Sequence, residues 1–83
     1  MEDGHYVRNA DEGAYKGPFE DLIDAMEAGK IWKEDGDEVT IHMVEDGDIV
    51  GSWEYSEEGL IGIRDFEGQT FQNAIVDYDL VSA

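Results

Sequence analysis

A chain of 83 residues with 22 Asp/Glu against 5 Lys/Arg carries a formal charge of −17 and has no cysteine. That balance excludes nucleic acid and anionic membranes as direct ligands, because each repels a polyanion, and it excludes disulfides, thiol catalysis and thiolate metal sites. Apolar residues at 41% and aromatics at 11% separate the chain from a disordered acidic tail. The expectation is one small domain, residues 1–83, acting as a monomer or homodimer. Met1-Glu2-Asp3-Gly4-His5 has no apolar segment of the signal-peptide kind, and no run is long enough to span a bilayer, so a cytoplasmic location is expected (that of a host cell if a phage encodes the chain).

Taken in chain order, Tyr6-Val7-Arg8 reads as a short first strand ended by an Asp11-Glu12-Gly13 turn. Phe19, Leu22, Ile23 and Met26 then recur at i, i+3, i+4 and i+7, which predicts a helix from Pro18 to about Gly29. Pro18 suits the first helical position, and Gly29-Lys30 suits the stop. Val39, Ile41 and Met43 alternate with polar neighbours as a half-buried strand. A three-residue Glu45-Asp46-Gly47 loop would pair Met43 with Ile49, Ile41 with Gly51 and Val39 with Trp53, placing Ile49, Trp53 and Tyr55 on one face. A two-residue Asp46-Gly47 loop would instead set Trp53 opposite Thr40, and burial favours the longer loop. The next connection, Glu57-Glu58-Gly59, would pair Tyr55 with Ile61 and Trp53 with Ile63 on a strand from Leu60 to Phe66. After a Glu67-Gly68 turn, Ala74, Val76, Tyr78 and Leu80 alternate as a last strand. The sum is an α+β fold: one amphipathic helix packed on a four- to five-stranded antiparallel sheet, in the order β-α-β-β-β-β.

The carboxylates are placed in a pattern. From Glu34 to Ile63 there is no Lys or Arg, and acids crowd the turns. Glu20, Asp24 and Glu27 would line one helical stripe at roughly 5–6 Å spacing, while carboxylates two apart on a strand would sit about 6–7 Å apart. DNA offers one phosphate per ~3.4 Å on each strand, so such an array can stand in for its backbone. The candidate partner-binding residues are Glu20, Asp21, Asp24 and Glu27 with an acidic turn, Asp46 and Asp48 or Glu57 and Glu58. Trp32, between Lys30 and Lys33, joins them as a possible anchor, since Trp is enriched at interface centres; core closure over the helix end is its other use.

Chemistry has less to work with. Glu34-Asp35-Gly36-Asp37-Glu38 and Glu45-Asp46-Gly47-Asp48 lack the Ca²⁺-loop spacing and read as turns, so no metal site and no cofactor is expected. His5 belongs to the terminus and His42 to the outer sheet face, where a lone exposed histidine reads as a polar strand residue. No Gly-x-Ser-x-Gly or phosphate loop occurs, and no cleft for a carboxylate pair is expected. Catalytic residues are therefore none.

Tyr6-Val7, Gly17-Pro18-Phe19, Leu22, Ala25 and Gly29-Lys30-Ile31 resemble the Gly-Pro-Phe, Leu and Gly-x-Ile pattern of GYF-type adaptor domains. The resemblance covers under a third of the chain, and the downstream pattern is replaced by the acidic strands. It implies a peptide-binding adaptor that takes proline-rich segments on an aromatic surface.

The function expected first is a non-enzymatic inhibitor that mimics nucleic-acid phosphates and blocks the basic site of a nucleic-acid-binding protein. Phages and mobile elements deploy such proteins against restriction, CRISPR or repair enzymes. The alternatives are a small halophilic structural or interaction domain whose acidity serves solubility, and the GYF-like adaptor.

Overall fold

The computed structural model describes residues 2–64 and 66–71. Strands β1 (Gly4–Asn9) and β2 (Ala14–Phe19) form a hairpin, α1 (Leu22–Glu34) crosses the sheet, and β3 (Val39–Glu45), β4 (Asp48–Ser56) and β5 (Gly59–Ile63) follow as a meander. All pairings are antiparallel, in the order β2-β1-β3-β4-β5. This is the α+β class the sequence predicts, one helix on an antiparallel sheet, but the order is β-β-α-β-β-β rather than β-α-β-β-β-β, because Ala14–Phe19 pairs with β1 as a second strand before the helix. The strand expected over Ala74–Leu80 lies outside the described residues.

The elements differ from the sequence reading in identifiable ways. Gly17-Pro18-Phe19 is strand, not helix: Gly17 takes φ +138° behind a cis Gly17–Pro18 bond, and a Cβ there would lie 2.9 Å from His5 O. Two residues, Gly17 and Pro18, thus oppose Tyr6, which returns Phe19 to the helix side. The helix starts at Leu22 and runs past Gly29 to Glu34. Gly29 is no stop: it is buried where α1 touches the sheet, and a Cβ would come 2.7 Å from Val7 and 3.1 Å from Val39. The stop is Gly36 at φ +87°, with Gly36 N–H donating to Lys33 O and Asp37 N–H to Trp32 O, both at 3.0 Å. These are the paired bonds of a Schellman cap.

Both hairpin registers differ as well. The β3–β4 turn is the two-residue form, Asp46 (φ 53°) and Gly47 (φ 83°), closed by Glu45 opposite Asp48. A bulge then leaves Val50 without a partner, so Val44 faces Ile49 while Met43 faces Gly51 and Ile41 faces Trp53. Turn and bulge together satisfy burial on both sides, which neither predicted loop does. Ile49 therefore points away from Trp53 and Tyr55. Likewise Glu57-Glu58 is a two-residue loop, and Tyr55 pairs with Leu60 and Trp53 with Gly62.

Burial occurs on both faces. On the helix side, Val7, Ala25, Val39 and Ile41 are buried, with Phe19, Leu22, Met26, Trp32, Trp53 and Leu60 packed around them. On the opposite side, Tyr6, Val44, Ile49 and Phe71 form a second cluster with Phe66 against it. The chain after β5 is held there by Ile49 N–H to Gln69 O (2.8 Å) and Phe71 N–H to Gly47 O (2.9 Å).

Candidate functional site

Antiparallel topology sorts the carboxylates to the two ends of the sheet. At one end stand the β3–β4 turn (Glu45, Asp46, Asp48), the chain start (Glu2, Asp3) and the link into α1 (Glu20, Asp21). They are tied together: Asp46 N–H donates to Asp3 Oδ1 at 2.9 Å, and His5 Nδ1–H to Glu20 O at 3.1 Å. At the other end stand the β1–β2 turn (Asp11, Glu12), the link out of α1 (Glu34, Asp35, Asp37, Glu38) and the β4–β5 turn (Glu57, Glu58). Buried Asn9 organises that end. Its Oδ1 accepts from Asp11 N–H (2.9 Å) and Glu12 N–H (3.1 Å), and its Nδ2 donates to Asp37 Oδ2 (2.9 Å). Asp11 Oδ2 in turn accepts from Glu38 N–H at 2.9 Å.

The predicted site residues divide accordingly. Glu20 and Asp21 precede the helix rather than lie on it, and they share an end with Asp46 and Asp48. Glu57 and Glu58 are at the opposite end. Asp24 and Glu27 are exposed on α1. Trp32 is half-buried against the helix-side core, with Lys16 Nζ 4.6 Å from the centre of its ring.

The sequence reading misses the outer face of α1. Once the helix begins at Leu22, the turn toward the sheet is Leu22, Ala25, Met26, Gly29 and Trp32, and Ile23 rotates outward. Ile23 is 68% exposed and Ile31 65%, among exposed Asp24, Glu27, Lys30 and Glu34. The signal available in the sequence is Ala25 and Gly29 four apart, the small residues that close helix–sheet contact selects.

The two histidines are also corrected. His5 is a half-buried residue of β1, its ring 6.2 Å from that of Trp53. His42 is not on a solvated face: it is 0% exposed beneath Phe66 and Phe71, with Nδ1 2.7 Å from Ser52 Oγ and Nε2 without a hydrogen-bond partner among the described residues. Burial, and then the nearby Arg8 cation, push its pKa down to about 3. Arg8 is itself buried with its guanidinium 4.7 Å over the Phe66 ring, in a pocket of about 160 Å³ that Glu38 and Glu54 also line.

The larger concavity, about 310 Å³, lies between β4, β5 and the following turn, with Trp53, Gly51 and Gly62 beside Arg64 and Glu67. Among the described residues no three His, Asp or Glu converge to hold a metal ion, and no helix is long and apolar enough to cross a membrane. In comparison with known proteins, no family model, no curated protein and no solved structure matches the chain.

Proposed function

We propose that this chain is a non-enzymatic acidic inhibitor that docks on the basic DNA- or RNA-binding site of a partner protein, its carboxylates taking the places of phosphates. One observation carries the reading. The acids are gathered at the two ends of the sheet and along α1, while two of the five cations, Arg8 and Lys16, are laid on aromatic rings. The charge facing solvent is thereby predominantly negative, with exposed Lys16, Lys30 and Arg64 heavily outnumbered, and it steers a basic partner from a distance. The turns that hold the acids are braced by the Asp3, Asp11 and Asn9 hydrogen bonds, which fixes the spacing of the charges before contact. The Gly17-Pro18-Phe19 segment joins β2 to β1 and, through Phe19, to the core under α1, with Gly17 and Pro18 exposed.

The test is competition. Protein immobilised at physiological salt should retain a basic nucleic-acid enzyme, release it near 1 M salt, and be displaced by duplex DNA. Reversing Asp46 and Asp48 together should slow association by orders of magnitude, whereas a single removal should cost roughly 0.5–1 kcal/mol. A target that holds the protein and DNA at once would refute the mimicry.

A further inference from the structure

We infer that the outer face of α1 is a docking ridge for a basic amphipathic helix of the partner, seated by Ile23 and Ile31 on either side of Glu27. The inference rests on the proposed function and names the element of the partner that the chain engages. Ile23, Glu27 and Ile31 follow one another at intervals of four residues, so they form a single ridge on the helix surface. The two isoleucines are about 12 Å apart along the axis. Both are about two-thirds exposed, on a protein of charge −17. An apolar ridge so placed gains nothing from solvent, and none of the described residues packs against it in either core.

Charge complementarity identifies the occupant. Exposed Asp24, Glu27 and Glu34 surround the ridge, with Lys30 the one cation between them. The complement is a surface with apolar residues at helical spacing flanked by Lys or Arg. A ridge of this kind beds into the matching groove of a second helix at about −50°. Basic helices are elements that DNA-binding proteins insert into the major groove. A helix seated on α1 would be withheld from DNA, which makes the ridge a means of inhibition beyond phosphate replacement.

Two synthetic peptides of about 20 residues and identical Leu, Lys and Arg composition provide the probe, one patterned as an amphipathic helix and the other permuted to remove the pattern. Amide chemical shifts of the full chain are followed at about 0.15 M salt. The patterned peptide is expected to bind about tenfold tighter than the permuted one, with shifts centred on Ile23, Glu27 and Ile31. An I23S/I31S double variant should abolish that preference with unchanged circular dichroism, since neither residue is in a core. If both peptides bind equally and shift only Glu45–Asp48 or Glu57 and Glu58, charge docking stands and the ridge is refuted. If neither binds, both readings fall. Self-association in sedimentation that the double variant removes would assign the ridge to a second copy and overturn the proposal.

Discussion

On the helix side of the sheet, Val7, Val39 and Ile41 meet Ala25 and Gly29 of a regular 13-residue helix; on the other side, Tyr6, Val44 and Ile49 meet Phe66, in a turn after β5, and Phe71, where the chain turns helical. The first cover is one continuous element, and the buried residues of its face are apolar except for Asn9 at the sheet end. Among the described residues the second cover rests on aromatic side chains, and its face also holds buried Arg8, Thr40, His42 and Ser52. An apolar face is mechanically simple, whereas a face that holds several polar groups has a state that depends on the solution. The two cores should therefore respond to different perturbations.

The largest expected difference is in acid. The folded pKa of His42, about 3, lies below its ordinary 6.5, so between those values the unfolded chain binds the extra proton. His42 therefore contributes stability that is complete above about pH 6.5 and is lost as pH falls toward about 3. At roughly 1.4 kcal/mol per unit the loss approaches about 5 kcal/mol. Relief of self-repulsion in a chain of charge −17 acts in the opposite sense on acidification. Denaturant melts of the wild type and His42→Gln across pH 7 to 4 separate the two contributions. Parallel curves would mean that His42 is not held neutral.

Truncating the aromatic cover comes next. Phe71 is fully buried against Tyr6, with ring centroids 4.7 Å apart, and Phe71→Ala should cost about 3–5 kcal/mol. A cost under about 1 kcal/mol would show that the second face is not a core at all. On the helix side the sharpest probe adds an atom. Gly29→Ala brings a methyl to 2.7 Å from a Val7 methyl, so despite the better helix propensity of alanine it should destabilise by about 1–3 kcal/mol. A stabilised variant would show that α1 can lift from the sheet without loss.

Salt should distinguish neither face. Most of the described carboxylates sit at the ends of the sheet, with Asp24 and Glu27 on the exposed side of α1, and raising NaCl from low concentration to about 1 M should stabilise the wild type and the Phe71→Ala protein alike, by roughly 1 kcal/mol. A gain found in only one of them would place the repulsion on a face.

The asymmetry also decides what is legible in the sequence. A covering helix announces itself by its period, and Leu22 and Met26 are where that period places them. Its phase and ends were less legible, because Pro18 and Gly29 carry helix-terminus chemistry while serving a strand bulge and a close contact. The opposite face had no period to read. Arg8, Thr40, His42 and Ser52 alternate with apolar neighbours as a wetted face does, and the aromatic residues that cover them, Phe66 and Phe71, come from chain beyond β5. Nothing in the sequence says what those two rings bury. The acidic ends were visible as turn composition. Which turns share an end follows from strand order, and that depends on the β1–β2 hairpin, whose second strand has only Tyr15 and Phe19 as large apolar residues.

Val50 is the surplus residue of β4, unpaired between Ile49 and Gly51. Its presence makes the length of the strand, as well as its composition, part of the specification. A chain that lost Val50 could keep Val44 opposite Ile49 and Met43 opposite Gly51, and every later residue of β4 and β5 would stay in frame. One more residue at the same point has no second bulge to absorb it and would turn Trp53, Tyr55 and Leu60 out of their core together. This hairpin should therefore accept shortening by one residue and reject lengthening.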